Sequence, residues 1–302
     1  EFLAGGQPGE IIDRMRRMEI SRVCVVGGGT MGNGIAHVFA LKGFDVTVVE
    51  AKKELADKAL ANIAKNLDRQ AAKGTITAAE KDGALGRLKT ALSPADAKGF
   101  QFAIEAVSER MDLKKNIFRE LDAASAPGAV LATNTSSLPI TEIASVVKDP
   151  LRVIGMHFMN PVPVMKLVEI IRGLQTSDET HKLVHDLAVK LGKTPAVAKD
   201  FPGFISNRVL MPMINEAIFC LMEDVSSKED IDAIMKLGMA HPMGPLQLAD
   251  YIGLDVCLAI MNVLHDGFAD SKYRPCPLLK QMVQAGRLGV KSGSGFYEYP
   301  KK

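Results

Sequence analysis

Residues 21–50 read SRVCVVGGGTMGNGIAHVFALKGFDVTVVE, and the fold of the chain turns on them. Ser21 to Val26 is a continuous apolar run, the pattern of a strand covered on both faces. Gly27 to Gly32 form a turn, Gly34 to Gly43 has helical spacing and stops on a glycine, and Asp45 to Glu50 is a β-branched run closed by an acid. Gly27, Gly29 and Gly32 match GxGxxG. In a chain with 26 glycines among 302 residues that pattern alone is weak. The strand before it, the helix after it and the acid ending the next strand make it specific for a dinucleotide.

Each position in the turn has a mechanical role. Gly27 permits the tight bend, Gly29 lets backbone approach a pyrophosphate, and Gly32 lets helix and strand pack closely; Thr30 and Met31 complete the loop. The helix N-terminus then offers unpaired N–H groups and a positive dipole end to the phosphates. Glu50 stands at the end of the second strand, where a carboxylate accepts from an adenosine ribose diol and repels a 2′-phosphate. NAD is therefore expected over NADP, with Lys52 and Lys53 partly offsetting the repulsion.

Working outward, Ala51 to about Leu92 is charged and rich in Ala and Lys, broken at Lys73-Gly74, and reads as a helical hairpin inserted after strand two. A strand over Phe100 to Ala106, a helix over Arg110 to Ala124, a strand over Ala129 to Thr133 and a short helix over Ile140 to Val147 follow. Val153 to His157 and Met165 to Ile171 are joined by a loop holding Pro161 and Pro163, too short for a crossover helix, so these strands should run antiparallel. A helix over Ser177 to Leu191 and a strand over Pro195 to Lys199 end the β signal; residues 203–302 read as helices. The expected fold is α/β: a Rossmann-type doubly wound sheet over residues 18–201 with a helical-hairpin insertion, then a separate all-α domain over 202–302. Residues 1–17 mix three Arg with three acids and read as an expression remnant or loose leader.

Composition narrows the function class. A net charge of +2 on 302 residues argues against a nucleic-acid footprint. No apolar run reaches the roughly 18 residues a membrane span requires. Cys24, Cys220, Cys257 and Cys276 are dispersed without metal spacing, which points to reduced thiols in a cytoplasmic protein and to no metal site.

The residues that can carry chemistry cluster in Asn134-Thr135-Ser136-Ser137, in His157 to Pro161, at Glu169 and at Asn207. Oxidising an alcohol with NAD needs a base for the hydroxyl proton, and histidine titrates near working pH. A carboxylate on the far ring nitrogen fixes the tautomer and stabilises the imidazolium. If the strands flanking the 158–164 loop pair, His157 and Glu169 meet. Ser136 and Asn134 also suit a turn or helix cap, and Asn207, at the start of a long helix, also suits a local backbone bond. Two competing readings are a related 3-hydroxy acid or sugar-acid dehydrogenase, and a non-catalytic dinucleotide-binding protein.

Six segments carry a resemblance: VGGGTMGNGIA (26–36), NTSSLPIT (134–141), GMHFMNPVPVMKLVEII (155–171), DFPGFISNR (200–208), KLGMAHPMGPLQLADYIGLD (236–255) and GVKSGSGFYEY (289–299). Over about Met18 to Tyr299 the chain resembles the L-3-hydroxyacyl-CoA dehydrogenases, particularly the short-chain 3-hydroxybutyryl-CoA type. The resemblance implies NAD-dependent interconversion of (S)-3-hydroxyacyl-CoA and 3-oxoacyl-CoA, with acetoacetyl-CoA or 3-hydroxybutyryl-CoA as substrate and a homodimer formed through the helical domain. It implies His157 as base, Glu169 as its orienting partner, and Ser136 and Asn207 on the reacting oxygen or thioester carbonyl. Glu109, Asn134 and Asn160 would line the nicotinamide side, with Lys114 contacting the cofactor. For coenzyme A, Lys73 falls at the family's lysine, but Asn66 stands where the family has a serine, so that contact must differ.

Overall fold

The computed structural model describes residues 19–300; the leader over 1–17 lies outside them. The chain separates into two compact units, Glu1–Asp200 and Phe201–Lys302.

The first unit is built on one eight-stranded sheet, with strand order β3-β2-β1-β4-β5-β6-β7-β8. Its centre is β1 (Arg22–Val26), flanked by β2 (Asp45–Val49) and β4 (Phe102–Glu105), both parallel to it. β5 (Val130–Thr133) and β6 (Val153–Phe158) extend the parallel set. Pairing of β6 with β7 (Leu167–Arg172) is antiparallel, as the two-proline loop requires. β8 (Thr194–Lys199) returns parallel to β7 through a crossover helix. The order reverses direction of winding between β1 and β4, the place where open α/β sheets bind ligands.

Helices cover both faces: α1 (Thr30–Leu41), α2 (Lys53–Ala72), α3 (Ala78–Gly86), α4 (Met111–Ala124), α5 (Ile140–Ala144) and α6 (Asp178–Lys190). The core runs through Val23, Val25, Phe39, Phe102, Ile104 and Ile154, with Phe39 packed edge-on against Phe44. The inserted hairpin is α2 and α3, but the reading that carried it to Leu92 needs correction. Leu88–Ala91 is a strand, β3, paired parallel with β2. It is a short edge strand of the sequence LKTA, exposed at Lys89 and Thr90, so neither alternation nor a buried apolar run announces it.

The second unit comprises α7 (Ser206–Met222), α8 (Lys228–Ala233), α9 (Pro245–Ile252), α10 (Leu254–Phe268) and α11 (Pro277–Gln284) around Ile214, Ile218, Leu246, Met261 and Leu279. Two buried carboxylates hold its connections. Asp232 caps α9 through Leu246 N–H (2.8 Å) and Gln247 N–H (2.9 Å) and accepts from the Tyr297 hydroxyl. Asp250 accepts from Phe296 and Tyr297 N–H, each at 2.9 Å, and so anchors the GFYEY segment. No single helix among the described residues is long and apolar enough to cross a membrane; the apolar pair α9 and α10 is bent by 97°. All four cysteines are free thiols. Burial pushes the Cys24 and Cys257 thiols up to about 12, which disfavours the thiolate of both at neutral pH.

Candidate active site

The glycine turn has the form its residues dictate. Gly27 adopts φ +94°, and a side chain there would strike the Ala106 carbonyl at 2.8 Å. A Cβ on Gly32 would lie 1.6 Å from the Gly27 carbonyl oxygen, so only glycine lets α1 start this close to β1. Gly29 differs: a Cβ built on it meets nothing within 4 Å. It is the N-cap of α1, and no side chain caps the first N–H groups of the helix there. That is a cradle for a pyrophosphate.

Beside it lies a cavity of about 220 Å³ lined by Gly28, Gly29, Thr30, Asn33, Glu50, Leu55, Lys58, Ala59 and Asn62. Glu50 is fixed at its rim, accepting from Gly28 N–H at 2.6 Å and from Ala51 N–H at 3.3 Å. A pre-aimed acceptor at the end of β2 suits the two hydroxyls of an adenosine ribose. Lys53, which could have drawn a 2′-phosphate, is paired with Asp57 at 2.7 Å. Lys58 and Asn62, one turn apart on α2, were not singled out in the sequence; only the packing of α2 against the turn shows that they line the cavity.

The chemistry-bearing pair is a product of register. Residue His157 on β6 lies directly opposite Glu169 on β7. Opposite residues of an antiparallel pair project from the same face. His157 Nδ1 stands 3.2 Å from Glu169 Oε2. Glu169 is only 3% exposed and so is not a solvated strand residue. A carboxylate taken that far out of water requires a donor. Nδ1 is the ring nitrogen turned to Glu169, and Nε2 lies on the opposite side of the imidazole.

The end of β6 is tied down by Asn134, whose side-chain oxygen accepts from Phe158 N–H at 2.8 Å, while its own N–H donates to the Glu105 carbonyl at 2.8 Å. The following loop, which carries Asn160, is clamped from beneath. Buried Lys193 donates to the carbonyls of Val162 and Met165, the latter at 2.7 Å, and Val162 packs where Gly34 of α1 leaves room. Burial holds the Lys193 ammonium below its usual range.

Glu109 is the hub of the 134–137 segment. Its Oε1 accepts from the Thr135 hydroxyl, from Ser136 N–H at 2.9 Å and from Ser137 N–H at 3.2 Å. Partial desolvation opposes its ionisation, but the Lys114 charge and these donors outweigh that and hold its carboxyl below the usual range. Ser136 therefore sits against Glu109, in the same cluster as Asn134. Lys114 is no solvated helix residue: it is 1% exposed and lies 2.7 Å from Glu105. Glu105 itself, an acid inside the apolar run FAIE, is a residue the sequence reading passed over.

Asn66 and Lys73 lie on α2 and at its C-cap, two helical turns apart and so on one face; Asn66 is half-buried and Lys73 exposed. Asn207 belongs to the helical unit, on the first turn of α7, and is buried.

Comparison with known proteins agrees with this geometry. Residues 22–201 match the family model for "3-hydroxyacyl-CoA dehydrogenase, NAD binding domain", and residues 203–299 match that for "3-hydroxyacyl-CoA dehydrogenase, C-terminal domain". The chain is 55% identical over 285 residues to a probable 3-hydroxybutyryl-CoA dehydrogenase of Bacillus subtilis, covering 94% of this chain and 99% of that protein. It is 52% identical over 280 residues to the 3-hydroxybutyryl-CoA dehydrogenase of Bradyrhizobium diazoefficiens, covering 93% and 96%. Among solved structures it is similar to (S)-3-hydroxybutyryl-CoA dehydrogenase PaaH1 from Ralstonia eutropha, with a TM-score of 0.91 and 50% identity over 94% of this chain and 100% of that one.

Proposed function

The chain belongs to the 3-hydroxyacyl-CoA dehydrogenase family, and from that premise we propose that His157, oriented by Glu169, is the general acid–base of its reaction. It is an NAD-dependent 3-hydroxyacyl-CoA dehydrogenase, interconverting (S)-3-hydroxyacyl-CoA and 3-oxoacyl-CoA. The observation that carries the proposal is the His157–Glu169 contact of 3.2 Å across paired strands.

The glycine turn, its uncapped helix and the Glu50 carboxylate fit NAD. When bound, NAD supplies the acceptor for the hydride that leaves C3. In the oxidation the substrate O–H bond breaks and its proton passes to Nε2 of His157, while the C3–O bond becomes a carbonyl. Glu169 keeps Nδ1 protonated and stabilises the imidazolium that results. In the reverse direction the imidazolium returns the same proton to the 3-oxygen. Ser136 and Asn207 are assigned to the reacting oxygen and the thioester carbonyl, and Glu109, Asn134 and Asn160 to the nicotinamide side, where buried Lys114 acts through its 3.3 Å contact with Glu109. Gly27, Gly29, Thr30, Met31 and Gly32 hold the pyrophosphate. Asn66 and Lys73 are assigned to the adenosine phosphates of coenzyme A, with the Asn66 amide donating where a hydroxyl would.

The preferred substrate is a short acyl thioester, acetoacetyl-CoA or 3-hydroxybutyryl-CoA, supported by the names of the relatives. A homodimer through residues 202–302 is supported by the exposure of Val225, Ile234, Leu237 and Met239 in that unit. A cytoplasmic location is supported by four thiols left unpaired.

Turnover of acetoacetyl-CoA against free acetoacetate, with NADH, tests the substrate class. The coenzyme A portion supplies binding energy remote from C3, so kcat/KM is expected to favour the thioester by at least about 10²-fold. Equal or better turnover of the free acid would contradict the thioester reading.

A further inference from the structure

Three charged side chains lie together at the carboxyl ends of β4 and β5, and two of them are sealed from water: Glu105 is 0% exposed and Lys114 1%. Lys114 Nζ stands 2.7 Å from Glu105 Oε1 and 3.3 Å from Glu109 Oε2. Glu105 is held from other directions by Val107 N–H at 2.6 Å and the Thr133 hydroxyl at 2.8 Å. A buried ion pair is on average no more stabilising than apolar side chains of equal size. Its presence here calls for a reason other than stability. One ammonium between two carboxylates leaves a surplus negative charge, and the surplus surfaces at Glu109, whose side chain is 36% exposed.

We propose that this cluster sets the relative affinity for oxidised and reduced cofactor: Glu105 holds Lys114, Lys114 holds Glu109, and the net negative charge favours the cationic ring of NAD⁺ over the neutral ring of NADH. The inference rests on the reading that Glu109 lines the nicotinamide side. Only the oxidised ring carries charge, so an electrostatic effect acts on one member of the couple and leaves the other nearly untouched. Glu105 and Lys114 act through Glu109 and are positioning residues.

Dissociation constants for NAD⁺ and NADH, measured by calorimetry on the full chain, test this. Glu105→Gln keeps the shape, an amide oxygen to accept from Val107 N–H and an amide N–H that can donate to the Thr133 hydroxyl oxygen, but makes the cluster neutral. Kd(NAD⁺)/Kd(NADH) is expected to rise about fivefold or more. The double variant Glu105→Gln/Lys114→Met removes both members of the buried pair and restores the surplus on Glu109, so the ratio returns to within about twofold of the parent. A merely structural pair would weaken both cofactors in proportion and leave the ratio alone. If Glu105→Gln folds poorly, the partly exposed Glu109→Gln reads the same quantity and should raise it equally. A ratio unmoved by Glu105→Gln or Glu109→Gln overturns the proposal, as does a ratio in the double variant as high as in the single. A parent chain that binds neither cofactor saturably would instead overturn the cofactor site on which the inference rests.

Discussion

Replacing His157 with Gln is expected to lower kcat for reduction of acetoacetyl-CoA by NADH at least about 10²-fold, with the Kd for NADH within about twofold of the parent. Gln preserves much of the volume and can still donate to Glu169, so the buried carboxylate keeps a partner and the β6–β7 pairing survives. What disappears is the group that can carry a proton. Positioned acid–base help is worth roughly 10²–10⁴-fold, and none of it acts on cofactor binding, in which His157 is assigned no part. Loss in kcat with an unchanged Kd is therefore the signature. A fall in kcat accompanied by a matching rise in Kd would point to disruption of the sheet, and near-normal turnover would remove His157 from the mechanism.

A second large effect should separate two glycines three residues apart. Gly32→Ala places a methyl group 1.6 Å from the Gly27 carbonyl oxygen, which only backbone movement relieves. That is expected to cost about 3 kcal/mol or more, seen as a fall in Tm of roughly 5–10 °C, together with loss of NADH binding. Gly29→Ala meets nothing within 4 Å, at φ −63° and ψ −166°, a conformation open to any residue. Its Tm should stay within about 2 °C of the parent. The methyl group does, however, intrude on the space above the α1 N-terminus, so the Kd for NADH should rise at least about tenfold. Thermal melts and NADH titrations of the two variants check both statements. Normal NADH affinity in Gly29→Ala would mean that the pyrophosphate lies elsewhere.

The features legible in the sequence are those dictated by local rules. The run from β1 to β2 declares itself because strand, turn glycines and terminal acid must follow one another in that order. The antiparallel turn at β6–β7 was readable because two prolines in a short loop leave no room for a helix, and from it followed the meeting of His157 and Glu169. β3 escaped because a four-residue edge strand of mixed polarity carries no periodic signal. Glu105 and Lys193 escaped for a different reason. Each is a charge whose partners come from distant segments: Lys114 and Thr133 for the first, the Val162 and Met165 carbonyls for the second. Nothing at spacing three, four or two marks such contacts; they exist only once the sheet has formed. Asp200, which caps α5 through Ile140 and Thr141 N–H, belongs to the same class.

Everything chemical in this account depends on one imidazole presenting Nε2 to the substrate while Nδ1 stays on Glu169. A crystal structure with NAD⁺ and acetoacetyl-CoA bound measures that directly. His157 Nε2 is expected within about 3.2 Å of the 3-oxo oxygen, with the Glu169 contact retained. An imidazole out of hydrogen-bond reach of that oxygen, with another side chain in its place, would contradict it.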